Sequence, residues 1–250
     1  MRSLLLLLLL PMLAAGQART TSDTVLYSKV LIIPYNPMMH LSDADDDIAV
    51  YSGKNPQEIR DQFRTGLLQH VDASLVTAYK TRILHSEVGT DELIDLETIY
   101  GSVNYNLDTV FPVKYKTRKD TATLAKKLFG KKEKTDPRYM NVTLSHPELL
   151  AAFSKKYGTD LFLFLNQLEI VSHPADCYDL ALKSYKRELK VHYSLYDSRG
   201  RQVYGDVATM AVPPGMNDAG EIISQNFPLI GGKVLHSVPP KEILPVQASN

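Results

Sequence analysis

Asp160-Leu161-Phe162-Leu163-Phe164-Leu165 opens on an acid and then runs apolar on both faces of an extended chain. Such a run fits a strand buried on both sides, at the centre of a sheet covered by helices. Just upstream, Ser145-His146-Pro147-Glu148 has capping-box spacing, and Leu149, Leu150, Phe153 and Tyr157 follow at helical intervals until Gly158 stops them. Downstream, Lys186–Tyr196 alternates: Leu189, Val191, Tyr193 and Leu195 on one side, Glu188, Lys190, His192 and Ser194 on the other. That is a strand with one wet face, on which His192 would sit. Asp197-Ser198-Arg199-Gly200 then reads as a hairpin turn into a strand over Arg201–Met210.

Toward the amino terminus, Val25–Tyr35 holds the buried-strand run Val30-Leu31-Ile32-Ile33, ended by Pro34 and Pro37. Asn55-Pro56-Gln57-Glu58 supplies a cap, a proline at the first helical position and a glutamate at the third. Ile59, Phe63, Leu67, Val71 and Leu75 then make a stripe that must face a core. A short strand is expected over Arg82–His85 and a helix over Thr90–Tyr100, with Leu93, Leu96 and Ile99 inward. A last helix begins near Asn217, uses Ile222, Ile223 and Phe227, and meets Pro228, which bends or ends it. Strands separated by helices, then an antiparallel pair and a final helix, define an α/β (α+β) class: one mixed sheet with helices packed on it.

Residues 1–18 read as a secretory signal peptide, with Arg2, the Leu4–Leu10 run, Pro11 and the small residues Ala14, Ala15, Gly16 and Ala18. The apolar run is far shorter than the roughly 20 residues a spanning helix needs. The expected product is periplasmic or secreted, possessing one α/β domain over 19–238 and a proline-rich tail over 239–250. Apolar content is 44%, charged content 22% and formal net charge zero, an ordinary globular composition. Zero net charge argues against a nucleic-acid partner. The single cysteine, Cys177, excludes an intramolecular disulfide and reads as a free thiol.

Residues 111–141 contrast with the rest. Between Lys114 and Arg138 lie ten Lys or Arg against three Asp or Glu, a local +7. They read as an exposed basic insertion, with a helical turn or two around Ala122–Phe129. Lys114, Lys116, Arg118, Lys119, Lys126, Lys127, Lys131, Lys132 and Lys134, interleaved with Leu124, Leu128 and Phe129, suit contact with an anionic membrane surface, lipopolysaccharide or an acidic partner.

The sharpest polar cluster is His40 with Asp43, Asp45, Asp46 and Asp47. Alternate carboxylates at Asp43, Asp45 and Asp47 suggest Ca²⁺ ligands, but Ile48 and Lys54 stand where an EF-hand needs its glycine and bidentate glutamate. The bland alternative is a solvated acidic loop after the first strand. A hydrolase could orient His40 through Asp43 as a general base. No serine or cysteine elbow, zinc-helix motif or phosphate-cradling glycine loop accompanies it, and Gly231-Gly232 is too isolated to be one. No cofactor is expected.

Val30-Leu31-Ile32-Ile33-Pro34-Tyr35 with its helix, the Tyr157-Gly158-Thr159-Asp160-Leu161-Phe162-Leu163 junction, the Leu189–Leu195 strand and the Asp197…Gly200 turn together resemble known secreted modules. The series is similar to the periplasmic domain of the curli secretion channel subunit, the amino-terminal domain of TolB and lipoprotein activators of penicillin-binding proteins. It covers roughly residues 25–105 and 145–236. The resemblance implies an α/β domain that binds envelope proteins and has no active site. The chain departs from those proteins in lacking a lipid-anchor cysteine, membrane-inserting hairpins and propeller repeats. The expected function is therefore a non-enzymatic binding or adaptor protein of the bacterial cell envelope. The rival is a secreted, metal-assisted hydrolase built on His40 and Asp43–Asp47.

Overall fold

The computed structural model describes residues 27–84, 90–110, 138–176, 179 and 185–239. Residues 1–18, expected to be a signal peptide, the nine basic residues from Lys114 to Lys134, Cys177 and residues 240–250 of the expected tail lie outside the described residues.

The apolar run at 161–165 begins β6 (Leu161–His173), the middle strand of a mixed sheet. With β1 (Lys29–Ile33), β2 (His40–Ser42), β3 (Lys80–Ile83), β7 (Lys186–Asp197) and β8 (Gln202–Val212), the sheet runs β3-β1-β6-β7-β8. β2 continues alongside β6 past the end of β1. β1 lies parallel to both β3 and β6, whereas β7 is antiparallel to both its neighbours, β6 and β8. The expected class, a mixed sheet with helices, a hairpin and a final helix, is the observed one.

Two cores follow from the alternation of the strands. Val30, Ile32, Leu161, Leu163, Leu189, Val191, Tyr193 and Leu195 face α1 (Asp45–Ser52), α2 (Pro56–Leu75) and the carboxy-proximal helix Ala219–Ser237. Leu31, Ile33, Phe162, Phe164 and Tyr196 face the opposite side, with residues of α3 (Asp91–Ser102) and α4 (Glu148–Tyr157). The helix Ala219–Ser237 is α5. The α2 capping box forms as spelled: Glu58 N–H donates to Asn55 Oδ1 at 2.9 Å, and Asn55 N–H to Glu58 Oε2 at 2.8 Å. All five stripe residues of α2 are fully buried.

Three expectations change, and one alternative is narrowed. Asp45–Ser52 is a helix, not a loop; its first turn carries Asp45, Asp46 and Asp47, which suit the positive end of a helix. The box at Ser145 does not form: α4 is capped at Pro147 without a side-chain bond, and Ser145 Oγ accepts from Asn104 instead. Of the two alternatives at Pro228, ending the helix is excluded, because α5 runs nine residues further to Ser237. Finally, the expected insertion over 111–141 runs into a strand: β5 (Arg138–Leu144) forms a separate antiparallel pair with β4 (Val103–Thr109).

That pair also corrects the wet face of β7. Glu188 and Lys190 are partly exposed, but His192 and Ser194 are buried, because β5 crosses the sheet there. The approach is close: a Cβ on Gly205 of β8 would meet Tyr139 Oη of β5 at 1.9 Å. Gly231 plays the same part between helices, where a Cβ would meet Ser74 Oγ at 2.4 Å and the His70 carbonyl at 2.6 Å. Gly231, and not its neighbour Gly232, is thus a packing device for α5 on α2.

Candidate functional site

His40 leaves the short helical turn Pro37–Met39 and enters β2, so its ring points under α1 and α2. Its expected partner was Asp43; its actual partner is Asp45, at the start of α1, with Nε2 3.0 Å from Asp45 Oδ1. The carboxylate accepts there, so Nε2 donates, and Nδ1 lies 3.3 Å from Tyr35 Oη. Arg60 Nε donates to the other Asp45 oxygen at 2.9 Å. Burial opposes ionisation of Asp45, but the hydrogen bonds from His40, Ser42 and Arg60 outweigh it and hold its pKa below the ordinary carboxylate value. Burial pushes the Tyr35 hydroxyl the other way, far above a usual tyrosine, with Arg64 opposing in part.

A pocket of about 250 Å³ opens beside this chain, lined by Tyr35, Met38, His40, Arg60, Asp61 and Arg64 among others. Both imidazole nitrogens are taken, so neither faces the pocket with a free lone pair. The cluster ties β1, β2, α1 and α2 together.

Asp43 and Asp47 point elsewhere. Asp43 accepts from Ser172 N–H at 2.9 Å and from Ser172 Oγ at 2.9 Å, pinning the α1 approach to β6. Both acids lie near Arg187, a fully buried arginine at the start of β7 that sequence reasoning missed. Burial lowers the Arg187 pKa, and Asp47 and Asp43 pull it back. Its Nη1 donates to Asn217 Oδ1 at 2.6 Å and to the Met216 carbonyl at 3.3 Å. A Ca²⁺ ion at Asp43 and Asp47 would confront that guanidinium. Among the described residues no group of three or more His, Cys, Asp or Glu is arranged to hold a metal ion. The three carboxylates of the Ca²⁺ reading, Asp43, Asp45 and Asp47, are not brought together around one point.

A second polar seam, also unforeseen, holds β5 on the sheet. A β-bulge between Leu165 and Gln167 turns Asn166 and Gln167 inward, where both are buried. Asn166 Nδ2 donates to the Met140 carbonyl and to Ser194 Oγ, each at 2.7 Å, and Met140 N–H donates to His192 Nδ1 at 2.8 Å. His192 Nε2 lies 3.3 Å from Glu169 Oε1, and the histidine keeps the Glu169 carboxyl below its ordinary value against burial.

A groove of about 740 Å³ lies between β8 and α5. Val207, Ala208, Met210, Ala211, Pro228 and Leu229 give it apolar walls; Asp206, Lys233, His236 and Ser237 add polar points. Among the described residues β8 pairs only with β7, along one of its two edges. Two edge groups are engaged locally: Val207 N–H donates to Asp206 Oδ1 at 2.7 Å, and the Thr209 carbonyl accepts from Lys233 Nζ. Desolvation raises the Asp206 pKa, although Val207 N–H, Tyr204 Oη and Lys233 oppose it. An eleven-residue edge without lysine or proline is a ready template for an extended chain.

Comparison with known protein families finds no match for this chain, and comparison with curated proteins finds none either. Among the described residues no helix is long and apolar enough to cross a membrane.

Proposed function

We propose that residues 1–18 export the chain and that it acts as a non-enzymatic binding or adaptor module of the bacterial cell envelope. On this reading it takes an extended segment of an envelope protein along the β8–α5 groove, in keeping with the secreted modules its sequence resembles. The observation that carries the proposal is the β8 edge that no described strand pairs, running beside an apolar groove: backbone pairing would supply affinity and the groove side-chain selection. The internally paired His40–Asp45–Arg60 chain supports a structural use of those residues over proton transfer. The basic residues Lys114 to Lys134 add recruitment to an anionic membrane surface or lipopolysaccharide.

A photo-cross-linking side chain placed at Thr209 in living cells tests the docking surface, with Arg60 as the control position. A discrete adduct at 209 and none at 60 is expected. Equal patterns at both positions, or substrate turnover by the purified chain that disappears in His40→Ala, overturns the reading.

A further inference from the structure

We propose that the β4–β5 pair is a hinged arm that lies on the sheet while His192 is neutral and lifts when His192 takes up a proton. Among the described residues the pair is a sheet of its own, joined to no strand of the main one. β4 follows directly from α3 and β5 leads on towards α4. The two ends meet where Ser145 N–H donates to the Ser102 carbonyl at 2.8 Å, which marks the hinge. β4 is mostly exposed, and β5 grips the sheet through a seam that is largely polar. Asn166, His192, Ser194 and Gln202 of the sheet bond to Met140, Asn141 and Tyr139 of β5, while Val142 and Tyr139 bury their side chains there. Within the seam Asn166 Oδ1 and Gln167 Oε1 are buried with no hydrogen-bond partner among the described residues. Unpaired buried acceptors cost free energy that hydration returns once the arm lifts, so closure is held only in part.

One bond in the seam depends on protonation. A backbone N–H can only donate, so Met140 N–H, 2.8 Å from His192 Nδ1, requires that nitrogen bare and leaves the ring's single proton on Nε2. A second proton must enter at Nδ1, where it would face the Met140 N–H donor to donor. Closure and protonation of His192 therefore exclude each other, and acid favours the lifted arm. Charged groups face the ring from every side. Glu169 of β6 lies 3.3 Å from Nε2, and Lys190 of β7 lies between Glu169 and Glu188, 3.6 Å from one and 3.2 Å from the other. Asp206 of β8 is close enough for His192 to favour its ionised form. On the arm stand Asp108 of β4 and Arg138, the first residue of β5. Acids outnumber bases in this set, so the neighbouring charges do not keep the ring neutral; the Met140 amide does. Gly205 lets the arm seat at all, since a Cβ there would run into Tyr139 Oη.

The inference stands apart from the docking reading, and its test needs no partner. In a Cys177→Ser background, Ser194→Cys places a thiol beneath β5, where Ser194 is fully buried. Val50→Cys in the same background, on exposed α1 surface, is the reference. Dividing the maleimide labelling rate at 194 by the rate at 50 removes the ordinary pH dependence of thiol reactivity. Between about pH 8 and about pH 5.5, across the ordinary histidine range, that ratio is expected to rise by at least about tenfold, as for a buried donor losing its partner. His192→Asn, whose Oδ1 can accept from Met140 N–H without titrating, should keep the ratio low at both values. Gly205→Ala should keep it high at both. Circular dichroism melts confirm that each variant is folded at both pH values. An unchanged ratio with His192 in place overturns the inference, and so does the same rise in His192→Asn. Hydrogen exchange at the Met140 amide of the unaltered chain, corrected for its intrinsic pH dependence, provides a reading free of Ser194→Cys. Its protection should fall over the same interval, and constant protection overturns the inference as well.

Discussion

Asp45 and Asp206 are both largely hidden carboxylates, and their surroundings push them in opposite directions. Asp45 ionises more readily in the folded chain than in the unfolded one. Its contribution is complete at neutral pH and is lost as pH falls through its depressed folded value. Asp45→Asn should therefore cost about 1–3 kcal/mol at neutral pH, as for a buried charged partner removed. The difference should shrink in denaturant melts repeated toward acid pH. For Asp206 the sign reverses. The folded chain keeps a proton in a window where the unfolded chain has released it, so stability falls as pH rises through that window. Asp206→Asn, which can still accept from Val207 N–H, should raise the melting temperature at neutral pH and leave it unchanged below the ordinary carboxylate range. The sequence pointed to His40 and its acids but paired His40 with Asp43. The α1 helix, hidden behind a run of aspartates without a capping side chain, is what turns Asp45 to the ring.

Elements with a strong period were legible: the α2 stripe, the apolar β6 run and the β7–β8 hairpin all lie within a few residues of where the sequence puts them. β4 and β5 were not, because they pair across residues 110–137, and no local pattern announces a partner that far along the chain. His192 was misplaced for the same reason: alternation marks two faces but cannot tell which one another strand will cover. Glycines carry a related lesson, since adjacent ones in α5 do different work. Gly231→Ala must push a Cβ into Ser74 and the His70 carbonyl, and should cost about 1–3 kcal/mol through overpacking of α5 on α2. Gly232→Ala meets nothing within 4 Å and should stabilise by about 0.5–1 kcal/mol through helix propensity. Paired urea titrations measure both. Equal effects would mean that α2 and α5 do not approach as closely as drawn.

At the scale of the whole molecule, two cores sandwich one sheet, and the β4–β5 ladder ends at the residues that flank the basic stretch in sequence. Thr109 pairs with Arg138, so both ends of residues 110–137 are held together at the end of that ladder. The chain is neutral overall, and the stretch from Lys114 to Arg138 holds +7, so everything else sums to −7. An anionic surface would attract that stretch and repel the remainder, which orients the molecule as well as binding it. Each lysine near such a surface contributes about 1 kcal/mol at modest salt. Replacing Lys126, Lys127, Lys131 and Lys132 by Gln should therefore weaken co-sedimentation with anionic phospholipid vesicles by more than about tenfold, given partial contact. High salt should produce the same loss in the unaltered chain. The melting temperature should hold in the variant, because none of the four lies within the β4 or β5 ladder. Unchanged partitioning after the four substitutions would mean that the basic stretch does not touch lipid. Recruitment would then have to come from the β8–α5 groove alone.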